Sequence, residues 1–123
     1  MELGIFSLMP QRDVSKPTAE IYKETIDLIQ LAEEIGFDTA WLTEHHFSSV
    51  PYVPDVDGEY GICPSPLAVA CAVAQATTNL RIGLAIKILP LEHPLRTAED
   101  AAVADILSGG RLDFGVGLGY RKY

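Results

Sequence analysis

The stretch FDTAWLTEHHF, residues 37–47, decides how this chain folds. It begins as a mostly apolar run of strand length and then changes abruptly to one carboxylate and two imidazoles, at Glu44, His45 and His46. A short apolar run of this kind is typical of a strand that is covered on both faces, as in a parallel sheet. Polar side chains directly after such a strand lie where parallel α/β proteins bind their ligands.

The rest of the chain alternates between strand-like and helical patterns. Strands are predicted at residues 3–8, 37–43, 80–89 and 111–117, and helices at about 18–35, 66–77 and 94–107. The order β-α-β-α-β-α-β predicts right-handed crossovers and a parallel sheet covered by helices. Two α/β architectures agree with this order, an open doubly wound sheet and a (β/α)8 barrel.

Composition narrows the class of protein. The chain has 123 residues, 48% hydrophobic and 21% charged, which is typical of one globular domain. Its net charge of −8 argues against a nucleic-acid or membrane partner, because both require a basic face. Cys63 and Cys71 form neither a zinc motif nor a disulfide framework, and residues 1–6 do not resemble a secretory signal. We therefore expect a reducing, cytoplasmic location.

Four patches that are distant in sequence are predicted to meet at one rim, since the carboxyl ends of parallel strands share an edge. They are Phe6-Ser7, Glu44-His45-His46, Ala85-Ile86-Lys87 and Gly117-Leu118-Gly119. Lys87 stands among apolar residues, and we interpret it as a lysine directed to the surface.

The imidazoles at this rim have three interpretations. One ring could act as an acid, base or hydrogen-bond donor near neutral pH. Alternatively, one ring caps a turn and the other packs, or Glu44, His45 and the distant His93 supply metal ligands. Metal-dependent hydrolysis would then be expected at Glu44-His45-His46. No HxH or HExxH spacing supports a metal, so none is predicted. Adjacent strand residues also point to opposite faces, which separates His45 from His46.

Gly115, Gly117 and Gly119 follow the last strand in the pattern GVGLG, which is not the GxGxxG dinucleotide fingerprint. Glycines at a strand end indicate a close approach to the backbone. Either a ligand or a neighbouring strand would require them.

Two segments resemble the bacterial luciferase-like, flavin-dependent monooxygenase family. They are AEEIGFDTAWLTEHHF (residues 32–47) and RIGLAIKILPLEHPLRTAEDAAVADILSGGRLDFGVGLGYR (residues 81–121). The resemblance extends from Leu3 to Arg121 and implies a (β/α)8 barrel with reduced FMN at the C-terminal rim. Such a barrel needs about 250 residues, so residues 1–123 are expected to form its N-terminal half, with little activity alone.

The same resemblance assigns roles to rim residues. His45 matches the active-site histidine that assists the reaction of the flavin with oxygen, and Phe6 and Glu44 match residues lining that pocket. Ala85-Ile86 matches a non-prolyl cis peptide beneath the flavin ring. The segment that lies beside the flavin corresponds to Gly117, Leu118 and Tyr120. Family members often carry an arginine at the Leu118 position, which reaches the flavin phosphate.

The implied activity is oxidation of a small organic substrate such as an aldehyde, with dioxygen and with FMN reduced by a separate reductase. A homodimer or heterodimer is expected. Two alternatives stay open: a non-catalytic or flavin-storage subunit, and an oxidoreductase that uses the deazaflavin coenzyme F420.

Overall fold

The computed structural model describes residues 1–11, 13, 15–46 and 61–119. Three helices alternate with strands along the chain, as predicted. The helices are α1 (Thr18–Glu34), α2 (Pro66–Ala76) and α3 (Pro94–Ser108). The strands are β1 (Gly4–Ser7), β2 (Thr39–Leu42), β3 (Arg81–Leu84), β4 (Lys87–Ile88), β5 (Leu112–Asp113) and β6 (Val116–Gly117), and a 3-10 turn spans Leu89–Leu91.

The main sheet has the strand order β1-β2-β3-β5, and all its pairs are parallel. A second parallel pair, β4 with β6, continues it beyond Leu84. The α/β class with parallel strands is therefore confirmed.

The third and fourth strands are each divided, and the prediction of unbroken strands at residues 80–89 and 111–117 was wrong. Ala85 N–H still donates to Leu42 O on β2, at 2.7 Å, whereas Lys87 N–H donates to Gly115 O, at 2.8 Å. Between these two bonds the chain loses β2 as a partner on one side, whereas on the other side its pairing passes from β5 to β6. The peptide between Ala85 and Ile86 is cis, as the resemblance implied.

The two faces of the sheet have different environments. Ala40, Leu42, Ile82 and Leu84 point towards the helices and are completely buried, which places the core between sheet and helices. On the opposite face Phe6, Trp41 and Gly83 stand in register across three strands. The Trp41 ring lies directly over Gly83, where a Cβ atom would come within 2.3 Å of the ring.

The amino-terminal pole of the sheet is held by Glu33, at the end of α1. Its carboxylate accepts hydrogen bonds from the backbone N–H groups of Thr78 (3.0 Å), Asn79 (2.6 Å) and Leu80 (2.7 Å). These donors lie in the turn between α2 and β3. Glu33 therefore fixes the point at which the chain re-enters the sheet.

Arg111, just before β5, holds the same pole from the other side. Its guanidinium donates to the backbone oxygens of Ala74 (2.8 Å), Leu80 (3.0 Å) and Ser108 (2.7 Å), and to Thr77 Oγ1 (2.9 Å). One side chain thus joins the end of α2, the start of β3 and the end of α3.

Within the described residues, no helix combines the length and the apolar character needed to cross a membrane.

Replacing Arg111 by Met should lower the free energy of unfolding by about 2–4 kcal/mol, because several partly buried carbonyls lose a charged donor. Arg96→Met is the matched control. Arg96 is 65% exposed and pairs with Asp100 at 3.0 Å, and exposed ion pairs contribute about 0.5 kcal/mol. Urea unfolding measures both variants, and equal losses would contradict the role assigned to Arg111.

In the Glu33→Gln variant, the free energy of unfolding should fall less between pH 7 and pH 3 than it does in the wild type. Burial raises the pKa of Glu33, but the three backbone donors and the nearby Arg111 outweigh burial and hold that pKa below its ordinary value of 4.5. A lowered folded-state pKa gives stability that is fully present above the unfolded-state value and is lost as the pH falls through the folded-state value. Urea midpoints measured from pH 7 to pH 3 should converge for wild type and Glu33→Gln at low pH. The exposed Glu34→Gln is the control, and parallel profiles for wild type and Glu33→Gln would be the contrary result.

Candidate functional site

A buried carboxylate stands at the centre of the predicted rim. The Glu44 side chain is 0% exposed and lies just beyond the end of β2. Its Oε1 accepts hydrogen bonds from Lys87 Nζ, at 2.9 Å, and from His46 Nε2, at 2.7 Å. Its Oε2 accepts from the backbone N–H of Ile88, at 2.8 Å. Glu44 therefore connects the end of β2 to β4, the short strand that follows β3 in the chain.

Lys87 is buried, so its interpretation as a surface-directed lysine was wrong. Its side chain is 3% exposed, and its Nζ also lies 3.3 Å from Glu92 Oε2. It borders a cavity of about 220 Å³ between the first turns of α2 and helix α3, which Asp100 also lines. The physical reason is the counter-charge: an ammonium is tolerated inside a protein where a carboxylate is held against it.

The two histidines face different surroundings, as strand alternation requires. The His46 ring contacts Glu44, two residues before it on the same side. The His45 ring lies against Gly61, where a Cβ atom would come within 3.1 Å of its Cδ2 and 1.5 Å of Leu8 O. His45 N–H also donates to Cys63 O, at 2.9 Å. The ends of β1 and β2 and the segment before α2 therefore meet at His45.

His93 lies apart from this cluster. Its Nδ1 accepts a hydrogen bond from Leu95 N–H, at 3.2 Å, and it caps the start of α3. Among the residues that the structure describes, no group of three or more His, Cys, Asp or Glu side chains is arranged to hold a metal ion. The combination of Glu44, His45 and His93 as metal ligands is not brought together.

The thiol nearest to the site is not a nucleophile at neutral pH. Burial raises the pKa of Cys63 to about 12, and the nearby Glu44 carboxylate adds to this effect, although the Ser65 N–H partly opposes it. A thiol with such a pKa carries almost no thiolate at pH 7.

The glycines after β5 accommodate a neighbouring strand. A Cβ atom on Gly115 would come within 2.1 Å of Leu84 O, and one on Gly117 within 2.3 Å of Ile86 Cδ1. Gly119 has a φ of +72° and lies against Ile88. Of the two explanations for these glycines, the neighbouring strand accounts for their contacts in the structure.

Three apolar side chains are available for a ligand at the rim. Phe6 is 56% exposed and Leu118 is 80% exposed, and Ile86, in the cis segment, is partly exposed. Tyr120, predicted to bind the cofactor, lies outside the described residues. The cofactor-binding roles of Phe6, Ala85, Ile86, Gly117 and Leu118 stay predictions, as does the catalytic role of His45. The cofactor-binding role of Glu44 also stays a prediction, and its carboxylate accepts hydrogen bonds from Lys87, His46 and Ile88.

Sequence reasoning missed the Glu44–Lys87 pair. A signal was present, because a lysine within an apolar run and a glutamate at the end of the preceding strand carry opposite charges. Two charged residues at the same end of adjacent parallel strands can be paired on the sequence alone.

The whole chain, residues 1–123, matches the family model described as luciferase-like monooxygenase. The alkanal monooxygenase alpha chain of Photorhabdus laumondii is 37% identical over 99% of this chain and 31% of its own length. The oxygenase component of the flavin-dependent trigonelline monooxygenase of Acinetobacter baylyi is 30% identical over 97% of this chain and 30% of its own length. The chain thus spans about a third of the length of the curated relatives that it matches.

Solved structures of similar proteins share this fold. Monooxygenase RslO1 from Streptomyces bottropensis matches 98% of this chain and 34% of its own, with a TM-score of 0.83 and 30% identity. The oxygenating constituent of 3,6-diketocamphane monooxygenase from Pseudomonas putida, in complex with FMN, has a TM-score of 0.80 at 21% identity, over 98% of this chain and 30% of its own. A coenzyme F420-dependent tetrahydromethanopterin reductase from Methanopyrus kandleri has a TM-score of 0.67 at 28% identity, over 97% and 27%.

Alanine at Gly115 should destabilise the protein by about 3 kcal/mol, because the backbone carbonyl of Leu84 cannot rotate away from a new Cβ atom. At Gly117 the obstacle is only the Cδ1 atom of Ile86, which valine lacks. The double variant Gly117→Ala/Ile86→Val should therefore lose much less stability than Gly115→Ala in urea unfolding. Similar losses would show that strand packing does not explain these glycines.

Proposed function

This chain belongs to the luciferase-like monooxygenase family, and from that membership we propose that it is part of a flavin-dependent monooxygenase. The proposed reaction uses reduced FMN and dioxygen to oxidise a small organic substrate such as an aldehyde. The observation that carries the proposal is the pair of imidazoles at the carboxyl-terminal rim, where His46 is held by a buried carboxylate. His45 stands beside it, at the junction of three chain segments.

The choice of cofactor follows from the relatives and from the side chains at the rim. Two relatives that are 30–37% identical are named as monooxygenases, one of them as flavin-dependent. Exposed apolar groups of Phe6, Ile86 and Leu118 suit the faces and edges of a planar ring system. When bound, reduced FMN supplies the reaction with dioxygen. Coenzyme F420 is the alternative, supported by the shared fold of the F420-dependent reductase.

The chain's own residues would orient the reaction and move protons. His45 would take up or release a proton near neutral pH, where an imidazole is suited to both. Phe6 and Ile86 would exclude water from the reacting groups. Ala85, Ile86, Gly117, Leu118 and Tyr120 would border the ring system of the cofactor.

We further propose that residues 1–123 form the N-terminal half of a (β/α)8 barrel. Large apolar side chains are exposed on both edge strands of the sheet and on the flanking helices, where the rest of a barrel would cover them. They include Leu28 (50%), Ile35 (66%), Ile106 (77%) and Val116 (46%). Little activity is expected from this half alone. A separate reductase would supply the reduced flavin, in keeping with the relative named as an oxygenase component.

Leu118 favours one second candidate, a non-catalytic or flavin-storage subunit. A leucine cannot form the charge-assisted bond with which an arginine holds a phosphate. In the proposed enzyme, the phosphate contacts must therefore come from other parts of the protein. A weakly bound flavin without turnover would support the second candidate.

The proposal is tested on the full-length protein that contains this chain. We expect it to bind reduced FMN, and we expect His45→Ala to bind FMN similarly while losing about 100-fold or more in turnover of an aldehyde. His93→Ala is the control, because the His93 ring is engaged in capping the start of α3 and its loss should leave turnover unchanged.

Flavin titration and single-turnover oxygen consumption measure the two effects separately. No FMN binding at millimolar concentration would overturn the proposal. Binding of F420 instead would select the alternative cofactor, and binding without turnover in the wild type would select the storage subunit.

A further inference from the structure

We propose that Lys87 is a positioning residue, whose ammonium holds the buried Glu44 carboxylate as a three-way acceptor and thereby fixes the proton of His46 on Nε2. The inference deepens the proposed function, and it rests on that function only for the turnover measured below, since His46 neighbours His45, the proposed proton-transfer residue. The position of the proton on the His46 ring depends on these side chains and can be measured without any reaction.

The contacts form one connected chain from the rim inwards. His46 is 21% exposed, and its Nε2 lies 2.7 Å from Glu44 Oε1. The same oxygen lies 2.9 Å from Lys87 Nζ, and Lys87 in turn lies 3.3 Å from Glu92 Oε2. Glu92 is 43% exposed, so the chain of charges begins and ends near solvent and is buried in its middle.

Hydrogen-bond chemistry places the proton of His46. An ionised carboxylate can only accept hydrogen bonds, so each of its three partners must donate. Lys87 and the Ile88 N–H are donors in any state. His46 must therefore carry hydrogen on Nε2. A buried partner that fixes a tautomer in this way decides which ring atom can do acid–base chemistry.

Lys87 is what makes the carboxylate a reliable acceptor. Glu44 is 0% exposed, and a buried carboxylate without a counter-charge takes up a proton or draws in water. A protonated Glu44 would carry an O–H donor beside its remaining acceptor capacity, and donating that hydrogen to His46 Nε2 would require the other tautomer of the ring. The Nε2–H tautomer would then lose its preference.

Within the described residues, few charged or titratable groups surround the contacts that join His46, Glu44, Lys87 and Glu92. Glu44 faces His46 and Lys87, and its charge also acts on the thiol of Cys63. Lys87 faces Glu44 and Glu92, and Asp100 of α3 lines the same cavity. Removing Lys87 therefore leaves Glu44 and Glu92 without their shared cation, whereas Asp100 keeps its pairing with Arg96.

The experiment is nitrogen NMR of the full-length protein labelled with ¹⁵N-histidine, without flavin. The His46 signals are identified by their loss in His46→Gln. In the wild type, we expect the neutral ring to be protonated on Nε2, and in Lys87→Met we expect a mixture of tautomers or protonation on Nδ1. Lys23→Met is the matched control, because Lys23 is 74% exposed and pairs with Asp27 on the outer face of α1.

Turnover provides the second measurement. Lys87→Met should lower turnover about 10–100-fold, as loss of a group that orients a functional imidazole does, and it should displace the pH profile, whereas Lys23→Met should change neither. If Lys87→Met does not fold, Glu44→Met/Lys87→Met, which removes both buried charges and the acceptor of His46, is measured in its place. An unchanged Nε2–H tautomer in whichever of these variants folds would overturn the inference. Absence of flavin binding, with the tautomer result intact, would overturn only the proposed function.

Discussion

The ion pair between Glu44 and Lys87 is the constraint on which the rim depends. Two charges removed from water cost several kcal/mol each, and their attraction offsets this cost only where geometry and additional hydrogen bonds are favourable. Both conditions hold at Glu44, which receives three donors. A pair of this kind adds little net stability compared with well-packed apolar residues. Its effect is geometric, because it fixes the end of β2 against β4 and sets the place of the imidazoles.

The opposite pole is organised differently. Glu33 and Arg111 bind backbone groups almost exclusively, in the turn after α2 and at the end of α3. Backbone groups do not vary with side-chain identity, so this pole can keep its shape while the residues around it change. At the rim, by contrast, side chains bind side chains. The molecule thus separates a pole that defines the fold from a rim that can carry chemistry, as parallel α/β proteins generally do.

Local patterns in the sequence were sufficient for the alternation of strands and helices and for the position of Glu44-His45-His46 after a strand. The resemblance to a known family added the cis peptide at Ala85, which no local rule predicts. Two features were missed, and a third was left open. The burial of Lys87 depends on a carboxylate 43 residues away, and the division of the third strand depends on the loss of β2 as a partner after Ala85. The role of the glycines depended on which neighbour approached them, and only the register of the strands decides that.

The placement of Trp41 over Gly83 has a practical consequence for anyone who handles this molecule. The chain contains a single tryptophan, and it lies on the face of the sheet away from the helices. Its indole is partly exposed there, and indole emission responds to the polarity of its surroundings. The intrinsic fluorescence of residues 1–123 therefore reports on one position on this face of the sheet, next to Gly83. A group that covers this face, whether further strands or an absorbing chromophore, would change the wavelength or the intensity of the Trp41 emission.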